Sequence, residues 1–489
     1  MPAPSALHWF RTDLRLSDNP ALSYACRDGR PVAALFLLDE DSAGKRPLGG
    51  ASRWWLAQAL KALARDLAAR NMSLILRRGR AADQVPALAE ALGCALVTFN
   101  AGPGAAQEAA DEAVAQALRA AGREVKRFNA HLLHPPGSVL TEKGTLPRTF
   151  SAFQRAAMKR QRPLAPLPVP ERISPLDTPL VSESLTSWGL EPTVPDWAGG
   201  LRATWTCGER AAQARLSAFL EGPLKGYATG RDVPAANQVS HLSAHLRWGE
   251  ISPRQVLTTI RLAADTGEAP ARDATKFEAE LYWREFAHHL LAVEPDMATR
   301  NLQSAFDAFP WRTASGDLDL WRQGRTGYPL VDAGLRELWR TGIMHNRVRM
   351  VVGSFLAKHL LLDWRHGEAW FWDTLVDACP ANNPASWQWV AGTGVDAAPY
   401  FRVFNPVLQG EKFDPDGAYV RANLPELARL PAALIHKPWT ADRASLERAG
   451  IRLGSTYPLP MVDHAAARQR ALLAFEQIKR QASQIAITK

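Results

Sequence analysis

The chain has 489 residues, 46% hydrophobic and 22% charged, the proportions of a soluble globular protein too long for a single core. Its formal net charge of +9 favours a polyanionic partner, because lysine and arginine release counterions from phosphates on binding. Four cysteines, Cys26, Cys94, Cys207 and Cys379, lie far apart without a Cys-x-x-Cys, which excludes a zinc ribbon and predicts a reducing compartment.

The N-terminus carries no charged, apolar, cleavable leader, and no uncharged apolar run reaches the ~18 residues of a membrane span, so a cytoplasmic location is expected. Short apolar runs over 6–10, 32–38, 74–76, 95–99 and 124–128 predict strands, and apolar residues at helical spacing over 51–70 and 105–120 predict helices between them. That alternation predicts an α/β N-terminal domain over 1–130, a doubly wound, Rossmann-like parallel sheet. No Gly-x-Gly-x-x-Gly follows the first strand, so the dinucleotide fingerprint is missing.

Between 162 and 196 there are eight prolines, with Ser and Thr and no sustained periodicity, which predicts a surface-wrapping linker. The inter-domain segment is placed at 131–204 and an all-helical C-terminal domain at 205–489, with no strand pattern in the latter. Ser252-Pro-Arg-Gln255 opens a helix: Ser caps, Pro takes the first position and Gln completes a capping box. Ser240 and Ser243, just upstream, are either ordinary caps or part of a backbone cradle for a diphosphate. Glu280, Trp283 and Arg284 share one helical face at i, i+3 and i+4, as do Asn346, Arg349 and Met350. The first group reads either as a surface ion pair beside a half-buried Trp or as a site.

Seventeen Trp stand against seven Tyr; twelve of the Trp follow residue 200 and nine fall between Trp283 and Trp389. Trp is an expensive core residue because its indole N–H needs a partner, so the second half is where aromatic chemistry is expected. Trp387 and Trp389, two apart, diverge by about 200° on a helix. They form either a core pair or the walls of two chambers.

The stretch from Asp377 through Ala-Cys-Pro-Ala-Asn-Asn383 and Trp387-Gln-Trp389 to Phe404, continued by Asn405-Pro-Val-Leu-Gln-Gly-Glu-Lys-Phe413, resembles the flavin and lesion-pocket segment of the photolyase/cryptochrome family. The likeness is to the branch that repairs cyclobutane pyrimidine dimers. Trp9-Phe-Arg-Thr-Asp-Leu-Arg-Leu-Ser-Asp-Asn19 resembles the opening of the same family, and Trp321-Arg-Gln-Gly-Arg-Thr-Gly-Tyr-Pro329 resembles one of its signatures. The resemblance spans roughly residues 6–480.

The resemblance implies an antenna-binding α/β domain and a helical domain that binds FAD, in a monomer with no obligate protein partner. It implies light-driven electron transfer from reduced FAD to a pyrimidine dimer flipped out of UV-damaged DNA. By that likeness Tyr227 and Phe277 pack on the cofactor, and Val239, Ser240, His241, Leu242 and Ser243 grip its diphosphate. Arg349 pairs with Asp377 beside the flavin, Ala378 and Cys379 line its pyrimidine edge, and Asn383 faces flavin N5. Trp387, Trp364 and Trp311 correspond to a relay that reduces oxidised FAD. Glu280, Trp283, Asn346, Met350 and Trp389 correspond to lesion contacts, and Arg231, Arg284, Arg347, Arg402 and Gln409 to further substrate or DNA contacts. Three positions depart from the pattern: Val239 replaces Thr, His241 replaces Arg, and Cys379, followed by Pro380, replaces a second Asp.

Rival readings are a blue-light receptor without repair activity, a DASH cryptochrome and a (6-4) photolyase. Asn383 speaks against the first, as does a chain that closes in a helix over 463–483. Trp389, where DASH members usually carry Tyr, speaks against the second. The third uses His near Asn346 and Met350, which this chain lacks. A plain DNA-binding protein explains the charge but not the Trp distribution. The cysteine spacing also disfavours the iron–sulfur relatives. Arg53-Trp-Trp-Leu56 resembles plant cryptochromes and the bacterial photolyases nearest them, so 5,10-methenyltetrahydrofolate is the expected antenna, with 8-hydroxy-5-deazaflavin as the alternative. Ala106 and Gln107 stand where another folate-binding branch has Asn and Glu.

Overall fold

The computed structural model describes residues 4–160, 164–177, 182–396 and 401–487. Parts of the proline-rich stretch (161–163, 178–181) and of the central motif (397–400) lie outside the described residues. The chain forms two compact units: Met1–Lys225 with Val239–Pro295 and Val376–Ala381, and Gly226–Gln238 with Asp296–Leu375 and Asn382–Lys489.

In the first unit, β1 (Ala6–Phe10), β2 (Pro31–Leu38), β3 (Leu74–Arg78), β4 (Leu96–Asn100) and β5 (Glu124–Phe128) form a parallel sheet in the order β3-β2-β1-β4-β5. Central β1 and β4 are buried at every position, as expected of strands covered on both faces, whereas β5 at the edge carries three charged residues and is nowhere fully buried. The order reverses direction between β1 and β4, the mark of a doubly wound sheet. The principal helices here are α1 (Gly50–Ala68), α2 (Ala81–Ala91) and α3 (Ala105–Ala120). A two-residue strand, Ser174–Pro175, pairs with β2, so the proline-rich stretch adds to the sheet as well as wrapping it.

The same unit continues through α4 (Phe150–Lys159), α5 (Pro253–Asp265) and α6 (Ala271–Val293). The Ser252–Gln255 capping box is present in both directions. The Ser252 hydroxyl also reaches Asp18, which pairs with Arg254 at 2.6 Å, so the start of α5 is locked to the segment after β1. Two further buried carboxylates make similar ties. Glu209 accepts from the backbone N–H groups of Leu16 (2.7 Å) and Ser17 (3.0 Å), and Glu250 accepts from Trp55 Nε1 (3.2 Å) and Gly208 N (2.8 Å).

Apart from isolated bridges, the described part of the second unit is helical. Its elements include α7 (Asn346–Ser354), α8 (Trp364–Thr374), α9 (Asn382–Ala391) and α10 (His464–Ile487). Its signature segment closes around buried Asp332, which accepts from Thr326 N (2.7 Å), Gly327 N (3.0 Å) and Tyr457 OH (2.7 Å). Gly327 is obligatory there, since φ is +79° and a Cβ would lie 2.3 Å from Leu459 O. No helix among the described residues is long and apolar enough to cross a membrane.

Candidate functional site

In the first unit, α6 carries Phe277, buried, and Glu280 and Trp283, both half-buried. Glu280 lies 3.6 Å from Lys276, an i, i+4 pair. The indole of Trp283 is stacked on Phe150, with ring centroids 3.7 Å apart and planes 6° from parallel. Arg284 points inward: its guanidinium donates to His131 O at 2.9 Å, contacts the His131 ring and lies 3.4 Å from Glu285. Arg284, read from the sequence as a substrate or DNA contact, is engaged in an internal network. Burial, with help from Arg284, drives the His131 pKa well below the usual histidine range, and burial raises the Glu285 carboxyl to about 7.

The returning segment, residues 376–381, threads into this unit and is fixed by three contacts. Trp248 Nε1 donates to Val376 O (3.2 Å), Arg247 Nε donates to Ala378 O (2.6 Å), and Cys379 Sγ lies 3.6 Å from His288 Nε2. Ala378 and Cys379 are buried. The Cys379 thiol thus sits beside an imidazole whose pKa burial, Arg284 and Arg247 keep far down. Upstream, His241 takes a left-handed backbone (φ +52°), and Leu242 N donates to Ser240 Oγ at 3.3 Å before the short helix Ser243–Trp248. Burial and Arg215 lower the His241 pKa to about 4, so this position brings a neutral ring. Val239 is half-buried.

In the second unit, Asn383 on α9 is buried, and its Nδ2 donates both to Glu368 O (3.0 Å) and to Glu368 Oε1 (2.8 Å). Both partners only accept, so the amide is oriented and its Oδ1 turns away from Glu368. Trp387, one turn on, is buried edge-on to Phe371 (5.0 Å) and Trp321 (6.3 Å). It lies so close to Gly367 of α8 that a Cβ there would meet the indole at 2.1 Å. Between the two Trp, Gln388 is buried and uses its whole amide: Nε2 donates to Met297 O (2.7 Å) and Arg300 O (2.9 Å), and Oε1 accepts from Leu302 N (2.9 Å) and Thr393 Oγ1 (3.0 Å). Trp364 is fully buried and donates to Asn301 Oδ1 at 2.9 Å, so one short segment holds both α8 and α9. Trp311 is half-buried against Phe309 at 4.4 Å, and Trp389 is also half-buried. Exposure therefore rises from Trp387 and Trp364 to Trp311.

On α7, Asn346 is exposed and Met350 half-buried. Arg347 Nη2 lies 2.7 Å from Asp232 Oδ2, with its guanidinium 4.3 Å above Phe413. Arg231 lies 3.9 Å from the same carboxylate and 5.6 Å above the buried ring of Tyr227. Two arginines read as DNA contacts thus already share an acidic partner, which the sequence reading did not include. Arg349 Nε donates to Met344 O at 2.7 Å. Arg402 is exposed and lies 4.7 Å above Phe404. Its carbonyl accepts from Lys358 Nζ at 2.7 Å, a lysine that burial and Arg402 lower to about 7. Gln409 is half-buried, and its Oε1 has no partner among the described residues.

Residues 6–171 match the DNA photolyase family, and residues 277–477 match the FAD binding domain of DNA photolyase. The chain is 47% identical over 472 residues to the deoxyribodipyrimidine photo-lyase of Agrobacterium fabrum, covering 96% of this chain and 98% of that protein. It is 39% identical to cryptochrome-1 of Arabidopsis thaliana over 484 residues, 95% of this chain and 70% of that protein. The crystal structure of a bacterial class III photolyase from Agrobacterium tumefaciens superposes with a TM-score of 0.95 at 45% identity, covering 98% of each chain.

Proposed function

The chain belongs to the photolyase/cryptochrome family, and from that membership we propose how its residues carry out light-driven repair of cyclobutane pyrimidine dimers in DNA. The likeness to a named deoxyribodipyrimidine photo-lyase over almost the whole of both chains carries this reading. FAD is the cofactor, and when bound in its reduced form it supplies the light-excited electron that opens the dimer.

The oriented amide of Asn383 is the feature that best fits this cofactor. With its N–H groups spent on Glu368, it offers only an acceptor, which suits an N–H on a reduced flavin ring. Tyr227, Val239, Ser240, His241, Leu242, Ser243, Phe277, Arg349, Asp377, Ala378 and Cys379 would hold the remainder. His241 and Val239 bring fewer side-chain donors than Arg and Thr would, so the backbone N–H groups carry more of the diphosphate. Trp387, Trp364 and Trp311 would carry electrons inward, a role supported by the burial of the first two and the partial exposure of Trp311.

Trp283 and Trp389 would stack on the extruded bases, replacing stacking worth about 1–3 kcal/mol per base and offsetting the cost of flipping. The Glu280 carboxylate would hydrogen-bond the lesion, with Asn346 and Met350 as neutral contacts. Arg231, Arg347 and Arg402 would meet phosphates, and Gln409 would complete the DNA contacts.

For the antenna we favour 5,10-methenyltetrahydrofolate over 8-hydroxy-5-deazaflavin. At the switch point between β1 and β4, the Arg11 guanidinium lies 4.6 Å from the Trp9 ring and is paired with Asp111 and Gln107, so a flat ligand there would have to displace a buried ion pair. Trp54 and Trp55 are core residues of α1 and serve packing.

The test is chromatography of two oligonucleotides, one with a cyclobutane dimer and one with a (6-4) product, after illumination with reduced protein. Repair of the first alone is expected; an intact dimer after prolonged light, or repair of the second, overturns the reading.

A further inference from the structure

We propose that Phe150 is a positioning residue for lesion recognition: lying flat on Trp283, it fixes the indole plane and leaves the opposite face to the damaged pyrimidines. This rests on the reading of Trp283 as a lesion contact.

Phe150 opens α4, a helix inside the stretch that the sequence assigns to a linker. Thr149 caps that helix by accepting from Ala152 N at 3.4 Å, which sets where Phe150 points. One turn later, buried Phe153 packs against Phe286 (5.5 Å) and His289 (4.9 Å). Rings at i and i+3 of α4 therefore press on positions 283, 286 and 289 of α6, themselves three apart. Residues 131–134 hold α6 as well, through Arg284 to His131 O (2.9 Å) and His134 N to Glu285 (3.1 Å). The helix that carries Glu280 and Trp283 can neither roll nor slide freely.

The ring geometry shows what this grip does to Trp283. Two aromatic rings left to themselves prefer an offset or edge-to-face arrangement. Here the centroids are 3.7 Å apart and the planes 6° from parallel, a near-eclipsed stack that helix packing imposes. No base or water fits between them. Phe286 closes on Trp283 from the side, at 6.1 Å and 70°. Trp283 nonetheless stays half-buried, so part of the residue remains within reach of solvent.

An indole that must be ordered when a base arrives gives back part of the stacking energy as lost rotamer freedom. Phe150 does that ordering at folding, before DNA is present. Its ring carries no charge, so its contribution belongs to lesion affinity and not to phosphate attraction.

The experiment measures dissociation constants of FAD-loaded protein for an oligonucleotide with one cyclobutane dimer and for the same undamaged oligonucleotide, across a salt series. Phe150→Ala and Phe150→Leu are expected to weaken binding of the damaged strand by about threefold to tenfold, the loss of one preordered side chain. Undamaged binding, the salt slope and bound FAD should stay unchanged. Phe150→Tyr, which keeps the flat face, should restore lesion affinity. In a Trp283→Ala background, Phe150→Leu should add nothing. If Phe150→Leu binds the lesion as the unaltered protein does, or weakens both strands equally, or costs as much without Trp283, the proposal falls. Should Trp283→Ala alone leave lesion affinity intact, Trp283 is not a lesion contact and the proposal falls with that reading, a result distinct from failure at Phe150.

Discussion

Glu368 takes both amide hydrogens of Asn383, one on its backbone carbonyl at 3.0 Å and one on its carboxylate at 2.8 Å. Fifteen residues separate the two, and neither α8 nor α9 alone would orient the amide. The chemistry assigned to Asn383 is therefore set from another helix.

Replacing Glu368 by Gln puts an amide opposite an amide and lets Asn383 flip. A hydrogen bond to a charged group is worth about 1.5–3 kcal/mol, so a tenfold or greater acceleration of air re-oxidation of the reduced cofactor is expected, with FAD still bound. Absorbance decay after photoreduction reads it; an unchanged decay would show that Glu368 does not set the amide.

Trp364→Phe should abolish photoreduction of oxidised FAD while sparing repair by protein reduced beforehand. It also leaves Asn301 Oδ1 without its donor at 2.9 Å, at a stability cost of about 1–2 kcal/mol. Photoreduction at the normal rate would remove Trp364 from the relay.

Arg402→Ala should lower the slope of log affinity against log salt by about 1, since Arg402 is exposed. Arg347 and Arg231 share Asp232, so Asp232→Asn should tighten DNA binding by releasing both cations for phosphate. Weaker binding in Asp232→Asn would mean that the carboxylate holds the arginines in their productive place.

Lys358 has a pKa lowered from 10.5 to about 7 by burial and by Arg402. The folded protein therefore binds fewer protons there than the unfolded chain between about pH 7 and 10.5, and stability from this group rises with pH across that window. The melting temperature of Lys358→Met relative to the unaltered protein should fall between pH 7 and pH 9, as the native lysine loses its penalty. Parallel melting curves in both proteins would place the lysine in water.

Trp389→Ala should weaken lesion binding by about 1–3 kcal/mol while FAD stays bound. A (6-4) product should remain unrepaired, because proton transfer needs an acid within reach and neither Asn346 nor Met350 supplies one. Unchanged affinity of the Trp389 variant would remove this wall of the site.

The sheet was legible because central β1 and β4 are short, mostly apolar runs, broken only by His8 in β1 and by Thr98 and Asn100 in β4, close to the pattern that a covered parallel strand requires. The capping box at Ser252 was legible because it is local. Helix α2 escaped because Pro86 interrupts its pattern, and α4 because its apolar face is only Phe150, Phe153 and Ala157 within a segment otherwise read as loop. Candidate site residues were named where a motif carries them. Their partners were not: Glu368 for Asn383, Asp232 for Arg347 and Phe150 for Trp283 depend on packing between elements, and no spacing announces them. The inward course of Arg284 was hidden for the same reason, since it is decided by His131, 153 residues away.

Three buried carboxylates, Asp18, Glu209 and Glu250, each bridge the sheet region and the helical segments of the first unit. A protease or an engineer cutting near residue 204 would divide all three bridges and leave Asp18 and the indole N–H of Trp55 without the partners that neutralise or satisfy them. The sheet therefore cannot be inherited or exchanged as a free-standing cassette, although its sequence pattern ends long before the last of those partners. A fragment ending at residue 204 should expose its amides to rapid hydrogen exchange; slow exchange in β1 and β4 would show that the sheet stands alone.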